Sequence, residues 1–179
     1  MLRIGLTGAI AALLASASPA HCAGPELSAT MTLTSAVQIA KPVGKITVKA
    51  GPDGAVFRFN LRDLPPGPHG FHVHEGGSCA DAPNAKGEMT PAGAAGPHWD
   101  PQKSGKHEGP EGHGHMADLP RIEAREDGRA KGELRAPRIT DLNALKGHAV
   151  IIHAGGDTYS DTPEPLGGGG ARIACGVLN

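Results

Sequence analysis

The sequence predicts an all-β fold, an antiparallel sandwich or barrel, and three observations carry the prediction. Its regular segments are short and alternate apolar and polar residues with period two. Turn signals separate them, and no window holds a sustained helical period. The chain has 179 residues, which suits a single domain.

The first segment is not part of that domain. Arg3 precedes an apolar run from Ile4 to Leu14, followed by the small residues Ala15 to Ala20. This is the pattern of a secretory leader, with cleavage expected after about 20 or 23 residues. Residues 1–23 are therefore read as leader and 24–179 as the domain. The run is too short to span a bilayer, which takes ~20 residues. The mature chain is expected outside the cytoplasm, in the periplasm, with no insertion into the membrane.

The strands follow in order. Thr30–Thr34 and Lys45–Lys49 alternate, and Ala55–Leu61 continues the pattern after a hairpin turn at Pro52-Asp53-Gly54. Gly70–His74 is launched by Pro65-Pro66-Gly67-Pro68. Arg121–Ala124 and Ala130–Leu134 flank a turn at Glu126-Asp127-Gly128. His148–His153 and Ala171–Val177 complete the set, with one helical turn near Asp141–Leu145. Gly76–Asp118 shows no periodicity and reads as one long structureless loop, and Gly155–Gly170 as a second. A loop as long as the first needs a cross-link or a metal to offset its ordering entropy.

Composition narrows the function. The formal charge is −1, with no basic run for nucleic acid and no basic amphipathic helix for a membrane surface. Phe57, Phe59, Phe71, Trp99 and Tyr159 are the only aromatic residues, which argues against a large aromatic cofactor pocket. Cys22 is either lost with the leader or left as a spare thiol, so Cys79 and Cys175 form an even pair in an oxidising compartment, and a disulfide is expected.

The chemistry lies in histidines. Alternate strand residues share a face, so His72 and His74 point one way while Phe71 and Val73 point into the core. His153 ends another strand. If the two strands are close, three imidazoles converge, and a nitrogen set of this kind suits copper. His107, His115 and Asp118 form a second set, with His98 available as a fourth member. Imidazole nitrogen with carboxylate oxygen in a closed tetrahedron is a structural zinc arrangement.

These residues sit in stretches that resemble the copper,zinc superoxide dismutase family, from about Leu27 onward. They are Gly70-Phe71-His72-Val73-His74-Glu75, Gly96-Pro97-His98-Trp99-Asp100-Pro101, Gly105-Lys106-His107 and Gly114-His115-Met116-Ala117-Asp118-Leu119-Pro120. His153-Ala154-Gly155-Gly156-Asp157 and Leu166 through Val177 follow. The leader and the glycine run before Arg172 look like the bacterial exported branch. Two departures are His113, where an acidic residue is frequent, and Gly76, where asparagine is frequent.

The resemblance implies an eight-stranded Greek-key β-barrel whose two long loops form the metal site. It implies one copper and one zinc per subunit. Copper would be held by His72, His74, His98 and His153, and zinc by His98, His107, His115 and Asp118, with His98 bridging. Asp157 and His69 would orient ligands from behind, and Cys79–Cys175 would be the family disulfide. Arg172 and His98 would act in the dismutation of superoxide to oxygen and hydrogen peroxide, Arg172 by attracting the anion. His21, His113 and His148 match no ligand. A non-enzymatic copper/zinc carrier or buffer on the same fold is the alternative. Monomer and homodimer are both compatible with the sequence, and the copper donor is left open.

Overall fold

The computed structural model describes residues 25–34, 41–84 and 86–179. The expected leader, with His21 and Cys22, lies outside these residues. Among those described, no helix is long and apolar enough to cross a membrane.

Eleven strands form: β1 (Glu26–Leu33), β2 (Pro42–Gly51), β3 (Gly54–Leu61), β4 (Gly67–His69), β5 (Phe71–His74), β6 (Ala82–Pro83), β7 (Met89–Thr90), β8 (Ile122–Ala124), β9 (Ala130–Ala136), β10 (Ala149–His153) and β11 (Arg172–Val177). Among the described residues the helical content is three short 3₁₀ turns, at Gly93–Ala95, Leu142–Leu145 and Pro165–Gly168. Seven strands make one antiparallel sheet in the order β5-β10-β11-β1-β2-β3-β9. The remaining barrel piece pairs β4 with β8. β4 runs on into β5 at one edge of the sheet, and β8 lies against β9 at the other. The β4–β8 pair therefore closes the curl, and with β4 and β5 taken as one strand broken at Gly70 the barrel has eight. β1 pairs with β11 and β3 with β9, so chain neighbours are not always sheet neighbours, as a Greek key requires.

Period two decides which side of β1, β2 and β3 is buried, whereas β5 and β10 are buried on both sides. Leu27, Ala29 and Met31 of β1, Ile46 and Val48 of β2, and Phe57, Phe59 and Leu61 of β3 enter one core with Phe71, Val73, Val150 and Ile152. Phe57 and Phe71 meet edge-on across it, ring centroids 5.8 Å apart. The β2–β3 turn runs through Pro52-Asp53 to Gly54, whose φ of 101° and close approach to Ala136 O leave no room for a Cβ.

The expected strands form, most with longer or shifted ends. The long loop differs from its reading as structureless: it holds the β6–β7 hairpin and the turn at Gly93–Ala95. Two-residue strands carry no periodicity. They are held instead by Asn84, whose side chain accepts from Lys86 N and Glu88 N, and by Asp81, which accepts from Ala92 N. Isolated bridges, His72 to Asp118 and His74 to His98, lay the loop along β5. Cys79 and Cys175 are disulfide-bonded, their Cα atoms 5.8 Å apart, which ties the start of this loop to β11.

Candidate metal centre

Nine buried polar residues sit in a protein whose core is otherwise apolar: His69, His72, His74, His98, His107, His115, Asp118, His153 and Asp157. A buried donor or acceptor left unpaired costs roughly 1–3 kcal/mol, so each ring nitrogen needs an account.

β5 and β10 are adjacent and antiparallel, with Ile152 opposite Phe71 and Ile151 opposite His72. A bulge between Ile152 and His153 turns the last residue of β10 inward. His72, His74 and His153 thus converge, and His98 joins them from the loop. One ligand atom from each of the four falls within 4.8 Å of the others.

Hydrogen bonds fix the ring orientation of each. His72 Nε2 meets Asp157 Oδ2 at 2.7 Å, so its Nδ1 is left over. His74 Nδ1 donates to Gly96 O at 2.8 Å and His153 Nδ1 to Gly170 O at 3.1 Å, which frees Nε2 on both. Those freed atoms, His72 Nδ1, His74 Nε2 and His153 Nε2, have no partner. Neither do His107 Nδ1 and His115 Nδ1. Five orphaned nitrogens in one place are a coordination pattern rather than five packing defects, and they fit metal ions.

The second group surrounds Asp118 Oδ1, which lies 2.9 Å from His107 Nδ1, 3.2 Å from His98 Nδ1 and 3.4 Å from His115 Nδ1. The His107 contact is close but out of line for a hydrogen bond, the relation of two ligands of one cation. One ligand atom each from His72, His98, His107 and Asp118 also falls within 4.8 Å of the others, a set that does not include His115. His72 has already committed its Nε2 to Asp157, whereas His115 Nδ1 is unpartnered, so chemistry favours His115 as the second group's member. His98 belongs to both groups: Nδ1 faces Asp118, and Nε2 is left for the first.

Asp157 joins the groups from behind. Oδ2 holds His72, and Oδ1 holds His107 Nε2 at 2.8 Å. A Cβ on Gly167 would fall 2.1 Å from that Oδ1, so only glycine lets the second loop pass over the carboxylate. His69 sits beneath β10, one ring nitrogen 2.7 Å from His153 O and the other 2.7 Å from Pro65 O. His148 Nδ1 lies 2.9 Å from His74 O, and His113 is exposed, so neither joins a group.

Electrostatics divide the site. Burial, reinforced by neighbouring imidazoles and Arg172, drives His74 and His153 well below the ordinary histidine pKa, so both are neutral with free lone pairs. Burial likewise pushes His98 down to about 4. His107 goes the other way: burial opposes its charge, but Asp118 and Asp157 outweigh it and raise the pKa to about 9. Burial would raise both carboxyls, and their histidine partners instead hold them well below the usual range.

Arg172 lies beside the first group. Nη1 donates to Ala92 O at 2.6 Å and Nη2 to Gly96 O at 2.5 Å, the carbonyl that also holds His74. It lines an open cleft of about 380 Å³ with Asn84, Thr90 and Pro97.

Sequence reasoning missed two supports. Asp161 Oδ2 accepts from His107 N at 2.8 Å, and the Tyr159 hydroxyl accepts from Arg121 N at 3.0 Å while its side chain covers Gly109. Each joins a main-chain group to a distant side chain, which leaves no local pattern to read.

A family model described as copper/zinc superoxide dismutase matches residues 43–178. A copper-zinc superoxide dismutase of Brucella abortus is 51% identical over 139 residues, covering 77% of this chain and 79% of its own. One of Escherichia coli K12 is 46% identical over 148 residues, covering 83% and 85%. The solved structure of the Brucella abortus copper/zinc enzyme superposes with a TM-score of 0.83 at 45% identity, covering 87% of this chain and all of that one.

Proposed function

Because the chain belongs to the copper/zinc superoxide dismutase family, we propose that His72, His74, His98 and His153 hold copper, and that His98, His107, His115 and Asp118 hold zinc. The protein dismutes superoxide, two anions and two protons giving oxygen and hydrogen peroxide. The observation that carries the assignment is five unpartnered ring nitrogens, those of His72, His74 and His153 gathered with His98 and those of His107 and His115 facing Asp118 Oδ1, which His98 Nδ1 also faces. Copper supplies the one-electron couple that oxidises one superoxide and reduces the next, while zinc supplies charge and geometry without redox chemistry.

The side chains do the rest. Asp157 fixes the rings of His72 and His107 together, so the two groups keep one geometry. His98 is held on its Nδ1 side by Asp118, which leaves Nε2 to take up and release one of the two protons. The other comes from solvent. Arg172 is pinned by two carbonyls, so its charge stays aimed at the cleft instead of sampling solvent.

Pulse radiolysis of the protein loaded with both metals tests this reading. The rate is expected to fall as salt is added, because screening weakens attraction between Arg172 and the anion. Arg172→Ala should be slower by roughly an order of magnitude, with a shallower salt dependence. Absent turnover with both metals bound would leave the carrier or buffer reading. Arg172 favours the enzyme, since storage needs neither a fixed cation nor a cleft.

Zinc uptake carries a proton signature. In the metal-free chain His107 is protonated below a pKa of about 9, and zinc must displace that proton. Near neutral pH, titration with zinc should release about one proton from His107 per ion. Apparent affinity should climb by roughly tenfold per pH unit towards about 9 and then level off. A pH-independent affinity over that range would remove His107 from the zinc set.

We also place the mature protein in the periplasm, after loss of residues 1–23. The leader pattern and the Cys79–Cys175 bond, which an oxidising compartment maintains, support this.

A further inference from the structure

Arg138 stands two residues past the end of β9. Its guanidinium reaches the second metal-binding group's loop, where Nη1 donates to His115 O at 3.1 Å and Nη2 to Gly114 O at 2.6 Å. Neither acceptor is a carboxylate. The fork spans one peptide unit and its neighbour, so it fixes both position and tilt of the backbone that carries the His115 ring.

That backbone needs fixing. From His107 to His115 the chain reads His-Glu-Gly-Pro-Glu-Gly-His-Gly-His, with no strand or helix. Gly114 is packed so tightly that a Cβ would fall 2.4 Å from Lys106 O. The loop's own holds on His115 are the bonds from His115 N to Lys106 O at 2.8 Å and from Asp118 N to His115 O at 3.4 Å, and neither reaches the ring. By contrast, His107 is held through its ring by Asp157 and through its amide by Asp161, and His98 is held through its ring by Asp118. His115 is also the most distant of the three from Asp118 Oδ1, at 3.4 Å. It is therefore the member whose position the local chain determines least.

We propose that Arg138 is a positioning residue for zinc: by clamping the Gly114 and His115 carbonyls it sets the His115 ring against Asp118 and thereby the affinity of the second group. The clamp acts on zinc and not on copper, because nothing in the first group touches it. This inference rests on His115 being a zinc ligand. The space beside Arg138 is a cleft of about 130 Å³ lined by Trp99, Met116 and Asp141, so a shorter side chain meets no clash.

The test is calorimetric titration of zinc into the metal-free protein, with the visible bands of cobalt in the same site as a geometric readout. Arg138→Met keeps much of the stem and removes every donor. It should weaken zinc binding roughly 10- to 100-fold and shift the cobalt bands, the size expected for a group that orients a ligand. Copper uptake should stay at the parent value, and the melting temperature of the metal-free chain should fall by only a few degrees, about 2–4 °C per kcal/mol lost with the two carbonyl bonds. Arg138→Lys, which can still donate to a carbonyl, should recover most of the affinity. Unchanged zinc affinity in Arg138→Met overturns the proposal. So does a parallel loss of zinc affinity, copper affinity and metal-free stability, which would make Arg138 a general tether. If the methionine variant does not fold, Arg138→Gln, with a single amide donor group, is read in the same way. His115→Ala separates this from the underlying assignment. Unchanged zinc affinity there sinks the ligand reading, whereas zinc loss there with none in Arg138→Met sinks the clamp alone.

Discussion

Replacing His153 by alanine is expected to abolish dismutation, by more than about 100-fold, while zinc stays bound. The lower bound follows because groups behind the ligands are already worth 10–100-fold. His153 is the only member of the first group that comes from β10, and it contributes nothing to the second. The bulge before it and the bond from Nδ1 to Gly170 O present Nε2 to the cluster, and among the described residues no other ring nitrogen from β10 joins that set. The expected separation, zinc retained and copper lost, is read by metal analysis after dialysis, alongside the rate of superoxide loss. Alanine at exposed His113 is the control and should change neither. A His153→Ala protein that keeps both copper and a salt-dependent rate would show that the first group is not where the anion reacts.

The parts of this site visible in the sequence are those encoded locally. His72 and His74 share a face because strand geometry has period two, and Phe71 and Val73 confirm the phase by entering the core. His115 and Asp118 lie three residues apart in one loop, and Asp118 N bonds back to His115 O. What the sequence could not reveal depends on pairing across the barrel. His69 is singled out by the family resemblance alone, because no local pattern marks a histidine whose ring meets His153 O across the fold. Asp161 and Arg138 serve ligands 54 and 23 residues away through main-chain atoms, and any residue type could own those atoms. The choice of ring nitrogen is likewise invisible, because it follows from which carbonyl or carboxylate folds against the other one. The β6–β7 hairpin escaped for the opposite reason: its strands are too short to have a period.

Removing the disulfide, with Cys79→Ala and Cys175→Ala together, is expected to cost on the order of 4–5 kcal/mol, from the chain entropy of a closed loop near 100 residues. The bond joins residues 96 apart, and the enclosed segment carries His98, His107, His115, Asp118 and His153. For a chain of this size each kcal/mol moves the melting temperature by about 2–4 °C, so a fall of ~10–20 °C is expected in the metal-free protein. A second effect should appear below the melting range. Cys175 packs against Ala92, Ala95 and Ile151, and the segment it tethers supplies Ala92 O and Gly96 O, which hold Arg172 and His74. Releasing Cys79 frees one end of that segment, so the guanidinium loses its fixed aim. The metal-loaded variant should therefore turn over more slowly even where it is folded, and its rate should respond less steeply to salt. Calorimetry of the metal-free chain and pulse radiolysis of the loaded one at two ionic strengths separate these effects. A large fall in melting temperature with an unaltered salt dependence would confine the bond to stability, and would mean that the two carbonyls hold Arg172 without help from the cross-link.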